Sequence, residues 1–199
     1  MQFFDRRWPG ARCTGIDGYL SALLVARERV PDARLLLLDL LQADAWIGNE
    51  KFDVITLLDV IEHLDEPVSL LKNLTRHSKQ GGLLVVSVPA FPVLWSKRDV
   101  FLGHRKRYTK KHLLTELQTA GWEVLHCSYG FSFMFFPVFF LRKILFPFKK
   151  IDGQSIEASE LRVVPVINAI LRAIGMIEAR VQGKVSVPFG TSLFCVARN

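Results

Sequence analysis

Short apolar runs alternate with longer stretches of helical spacing through the first 130 residues. Residues 12–16 read as a strand that ends at Asp17. Over 19–29 the apolar Leu20, Leu23, Leu24 and Ala26 fall on one helical stripe. Residues 34–38 predict a second strand, ending at Asp39, and 52–58 a third, ending at Asp59. A helix is expected over 69–78, a break at Gly81 and Gly82, and a fourth strand over 83–88, running into Pro89. Thr109 is placed to cap a helix over 110–120, which Gly121 closes. Strands follow at 124–129 and 192–197, with an aromatic segment over 131–148 and a helix over 159–181 between them.

Near-continuous apolar strands separated by helices imply a doubly wound α/β domain with a mostly parallel sheet covered on both faces. Ligands of such sheets bind beyond the carboxyl ends of the strands. Polar residues collect there in this chain: Asp17, Asp39 and Asp59 each follow a strand directly. Asp17 can accept hydrogen bonds from both hydroxyls of a nucleoside ribose, or it can cap the helix that starts near Tyr19. Asp39 can accept from an adenine amino group, or be a solvated turn carboxylate.

The 199 residues suit one domain with a sizeable core. A net charge of +7 and a pI near 9.5 invite an anionic partner without choosing among nucleic acid, lipid headgroup and phosphorylated substrate. No nucleic-acid-binding motif is readable, so none is expected as a partner. Between residues 97 and 111 basic side chains surround a single acid, Asp99. This stretch is either an electropositive lid, with Arg105 and Arg107 as bidentate partners of an anionic substrate, or a solvated loop. His63 either serves the substrate or packs structurally. No HExxH or other metal-ligand spacing occurs, and no metal site is expected. Cys13, Cys127 and Cys195 lie far apart without a CxxC pair, which predicts buried, reduced thiols and a cytoplasmic protein. The N-terminus has no apolar signal core.

The stretch FDVITLLDVIEHL, followed by LLKNLTRHSKQGGLLVVSVPAF, resembles the middle of class I S-adenosylmethionine-dependent methyltransferases of the small-molecule type. GID at residues 15–17 and LLDL at 37–40 resemble the family's ribose- and adenine-contacting motifs. VLWSKRDVFLGHRKRYT and the closing PFGTSLFCVAR resemble a subgroup of the same family. The resemblance implies a Rossmann-like sheet with an antiparallel last strand and S-adenosyl-L-methionine as cofactor. Asp17 and Gly18 would serve the ribose, Asp39 and Leu40 the adenine, and Asp59 and Val60 the methionine side. Catalytic roles fall to His63, His104 and Tyr108, and substrate binding to Glu62, Arg105 and Arg107. The family's first strand, with its G-x-G-x-G loop, has no counterpart before Asp17. This implies a start upstream of Met1 or a split product, with two neighbouring strands left with unpaired edges.

On this frame, residues 1–130 form the methyltransferase core, 131–186 a helical insertion and 187–199 the last strand. The segment 131–148 is too interrupted by Arg142, Lys143, Pro137 and Pro147 to span a bilayer. Either it packs as core, or residues 131–150 lie on the inner face of a membrane, which would suit a lipid-linked acceptor. The expected acceptor is a small or lipid-linked molecule. The rival expectation is an inactive remnant or a membrane-surface binding module.

Overall fold

The computed structural model describes residues 10–40, 48–145, 165–182 and 185–199. The chain divides into two compact units, residues 1–50 and 51–199.

In the first unit, β1 (Thr14–Asp17) pairs in parallel with β2 (Arg34–Leu37), in register from Thr14 against Arg34 to Asp17 against Leu37. The crossover between them is α1 (Leu20–Arg29). Of the apolar stripe expected on this helix, only Leu23 is buried, while Leu20 and Leu24 are exposed. Two four-residue strands offer too narrow a face to cover a ten-residue helix. Cys13 is half-buried and sits ahead of β1, not within a strand.

The second unit holds a four-stranded sheet in the order β3-β4-β6-β5. Strand β3 (Phe52–Leu58) runs parallel to β4 (Ser78–Pro89), as the apolar runs predict. Strand β6 (Ser192–Arg198) is antiparallel to both β4 and β5 (Glu123–Gly130). Gly81 and Gly82 do not precede β4 but lie inside it. Phe52 faces Ser78 while Val54 already faces Leu83, so the extra residues of β4 loop out. Gly81 has φ +74°, and a Cβ on Gly82 would collide with Ser78 and the Lys79 carbonyl, which explains the glycine pair.

Helix α2 (Pro67–His77) opens on Pro67 at its first turn and buries Leu70, Leu71 and Leu74. After β4 come a short α3 (Lys97–Phe101) and α4 (Lys110–Thr119), whose cap Thr109 accepts from the His112 N–H. Trp122 is buried and donates its indole N–H to the Leu71 carbonyl at 2.8 Å, which ties the start of β5 to α2. Leu84, Val86 and Val88 on β4, with Leu193 and Cys195 on β6, form the centre of the core.

Helix α5 (Ser132–Phe140) follows β5 and continues as a π-helical turn, Leu141–Leu145. None of its residues is fully buried, and Phe136 and Phe140 are exposed. Helix α6 (Pro165–Gln182) precedes β6; the expected helical residues 159–164, and 146–150 of the expected membrane segment, lie outside the described residues. No helix among the described residues is long and apolar enough to cross a membrane.

Candidate active site

Beyond the carboxyl ends of β3 and β4 lies a cavity of about 480 Å³, within the second unit. Asp59 stands at its edge, in the left-handed region at φ 53°, directly after β3. Its N–H is held by the Ser87 carbonyl at 3.0 Å and its carboxylate accepts from the Ser87 hydroxyl at 3.2 Å. Val60 then leads into a single 3-10 turn, Ile61–His63. This turn throws Glu62 inward, fully buried, while the His63 side chain stays 41% exposed.

A loop from residues 102 to 109 closes the opposite wall. It lies along the end of β4, where the Tyr108 N–H donates to Pro89 and the Phe91 N–H donates to Tyr108. The Arg105 N–H donates to the Glu62 carbonyl at 2.7 Å, which brings His104 to Glu62 and His63. The two imidazole rings meet edge to face, with centroids 4.9 Å apart.

Asp99 organises the loop from beneath, at 1% exposure. Its carboxylate accepts from His104 Nδ1 at 3.0 Å, from Arg107 Nε at 2.7 Å, and from the backbone and hydroxyl of Ser96 at 2.8 and 2.9 Å. Arg142 approaches it from the π-helical turn at 3.6 Å. Burial pushes the Asp99 carboxyl upward, but the Arg107 guanidinium and the other donors outweigh it and hold it below the usual range. Glu62 has no such side-chain donors, and only its own backbone N–H and the Arg107 charge act to lower it. Burial, reinforced by the Asp59 carboxylate, raises it from 4.5 to about 7.

The fold therefore brings Asp59, Glu62, His63, His104 and Arg107 onto one cavity, as their order in sequence suggests. It does not bring Tyr108 or Arg105 there. Tyr108 is buried behind the wall with its hydroxyl on the Ile61 carbonyl, and burial, with Glu116 and Glu62 nearby, raises its pKa steeply. A phenol so placed holds its proton and stands behind the cavity lining rather than on it. Arg105 points outward, 3.6 Å from Asp65. Arg107 reaches the cavity, but its guanidinium is committed to Asp99 and the Ala90 carbonyl, which makes it a brace for the loop. Arg98 and Asp99 of the basic stretch, and Arg142, also line the cavity, although none of them was expected as a site residue. The signal for Asp99 was available: Ser96-x-x-Asp99 is a capping-box spacing.

In the first unit, Asp17 and Gly18 follow β1, and Asp39 and Leu40 follow β2. One Asp17 oxygen accepts the Tyr19 N–H at 2.8 Å, so the carboxylate does serve the helix entry. Gly18 is exposed, with open space where a side chain would stand.

Residues 3–127 match a methyltransferase domain family. Among curated proteins, the chain is 36% identical over 85 residues to the ubiquinone biosynthesis O-methyltransferase of Glaesserella parasuis serovar 5 (strain SH0165), covering 39% of this chain and 36% of that protein. It is 34% identical over 83 residues to the trans-aconitate 2-methyltransferase of Azoarcus sp. (strain BH72), covering 42% of this chain and 32% of that protein. The matched stretch thus spans about a third of these relatives' length. Among solved structures, the plantazolicin methyltransferase BamL, in complex with a triazolic desmethylPZN analog and SAH, superposes with a TM-score of 0.62 at 14% identity, covering 100% of this chain and 71% of that one. A SAM-dependent methyltransferase from Archaeoglobus fulgidus superposes with a TM-score of 0.53 at 15% identity, covering 100% and 92%. The fold is the Rossmann-like methyltransferase fold, and the chain belongs to the class I S-adenosylmethionine-dependent methyltransferase family.

Proposed function

We propose that the chain transfers a methyl group from S-adenosyl-L-methionine to a small-molecule acceptor bound in the cavity of the second unit. The observation that carries this reading is the convergence of Asp59, Glu62, His63 and His104 beyond the ends of two parallel strands. A curated relative named for trans-aconitate supports a small acceptor.

The donor set fits the nucleoside end of the cofactor. Asp17 stands half-buried at a strand tip, oriented by the Tyr19 N–H, where it can accept from a ribose diol. Asp39 is exposed and Leu40 half-buried beyond the next strand, one suited to an amino group and the other to an aromatic ring face. When bound, the cofactor supplies a methyl group already activated on a sulfonium, so alignment can carry much of the acceleration. His63 and His104 present Nε2 to the cavity beside Glu62, and these three hold the acceptor group that receives the methyl.

Calorimetric titration of the chain with S-adenosylhomocysteine tests the cofactor assignment. Asp17→Ala is expected to weaken binding at least about tenfold, the cost of a lost charged hydrogen bond, with an unchanged circular dichroism spectrum. Unchanged affinity overturns the ribose role. No heat from the unsubstituted chain overturns methyl transfer itself and favours a binding module.

A further inference from the structure

Three lone pairs in the cavity wall face one another with nothing between them. His63 Nδ1 lies 3.3 Å from the Gly103 carbonyl, and a carbonyl only accepts, so Nδ1 carries the proton of the neutral ring. His104 Nδ1 lies 3.0 Å from the Asp99 carboxylate and carries its proton for the same reason. In that tautomer each Nε2 is the lone-pair nitrogen, and both lie 4.0 Å from Glu62 Oε1. That separation is too long for a hydrogen bond. Neither oxygen of the fully buried Glu62 has a hydrogen-bond partner.

From this geometry we propose that Glu62, His63 and His104 bind a divalent transition-metal ion. One ligand atom from each lies within 4.8 Å of the others. A point about 2.5 Å from all three exists at such separations, a few tenths of an ångström beyond the ~2.0–2.2 Å of zinc–nitrogen and zinc–carboxylate bonds. Two imidazoles and a carboxylate suit zinc, cobalt, iron or manganese better than magnesium or calcium.

The supporting shell is in place. Each imidazole is fixed through its other nitrogen, His104 by a carboxylate and His63 by a backbone carbonyl, the arrangement that orients metal-bound histidines. Asp99 is itself locked by Arg107 and Ser96. Gly103, at φ +74°, makes the turn that aims its carbonyl at His63. Of the three arginines on the cavity wall, Arg107 and Arg142 are drawn to Asp99.

Three protein ligands leave positions open toward the cavity, where an oxygen of the acceptor can coordinate. That last contact rests on the methyl-transfer reading; the metal site does not.

The test uses tag-free chain stripped with a chelator, then titrated with Zn²⁺ by calorimetry and with Co²⁺ by visible absorption. The expected result is one ion per chain, with ligand-field bands for cobalt. Glu62→Gln, which keeps the side chain's shape, and His63→Ala, on a partly exposed residue, are each expected to weaken zinc binding at least about a hundredfold, with the exposed His126→Ala as unaffected control. Asp99→Asn, acting through His104, should weaken it about ten- to a hundredfold. Affinity that none of the site variants changes, or no stoichiometric zinc or cobalt, overturns the proposal. So does a response to Mg²⁺ alone. A metal-loaded chain that fails to bind S-adenosylhomocysteine would overturn methyl transfer and leave the metal site standing.

Discussion

At the scale of single residues, Glu62 carries the clearest consequence. Its carboxyl titrates at about 7 in the fold and at 4.5 when unfolded. The folded state therefore binds the proton more tightly. The stability it gives is full below pH 4.5 and is lost as pH rises through 7. In metal-free protein this amounts to about 3 kcal/mol. Denaturant unfolding in chelator should show Glu62→Gln matching the unsubstituted chain at pH 4 and exceeding it by roughly 2–3 kcal/mol at pH 8. A constant difference across that range would mean that Glu62 titrates alike in the folded and unfolded chain. Sequence alone places Glu62 near an acceptor, because EHL follows a strand end. It gives no hint that the carboxylate is buried without a donor, since that depends on a loop forty residues downstream.

At the scale of elements, the strands were legible and the helix faces less so. Near-continuous apolar runs mark the later half of β4 and β6, whose residues pack between neighbouring strands; β3 carries the same kind of run although only its Leu57 is buried. The stripe on α1 promised more burial than two short strands provide. Tyr108 lies otherwise than its loop suggests: the loop follows a strand end, where catalytic groups gather, yet its backbone bridges to the end of β4 and its ring is buried. Trp122 is the joint between α2 and β5, and it combines full burial with one hydrogen bond. Trp122→Phe should cost about 2–3 kcal/mol in thermal or denaturant unfolding, from the lost ring volume and the lost indole hydrogen bond to Leu71. A loss below about 0.5 kcal/mol, the size of a surface substitution, would show that α2 and β5 are held by their other contacts.

At the scale of the whole molecule, the two units differ in how much they bury. Among the described residues, the buried apolar side chains of the first unit are Leu23, Val30 and Ala33; all others belong to the second. A two-stranded sheet with so little core is marginal. Hydrogen exchange should find the amides of β1 and β2 exchanging orders of magnitude faster than those of β4 and β6. Equal protection would mean that the first unit's strands open only with the rest.

The place of β6 between β4 and β5 also sets an order of events during synthesis. Strand β5 is complete at Gly130, yet its hydrogen-bonding partner begins at Ser192. A growing chain on the ribosome can zip β3 to β4 early, but it must carry β5 unpaired until residues 192–198 emerge. Throughout that interval the aromatic segment after β5 is also in the open. The last-made strand is thus the one that lets the sheet close, and the wait for it is when this chain most needs a chaperone.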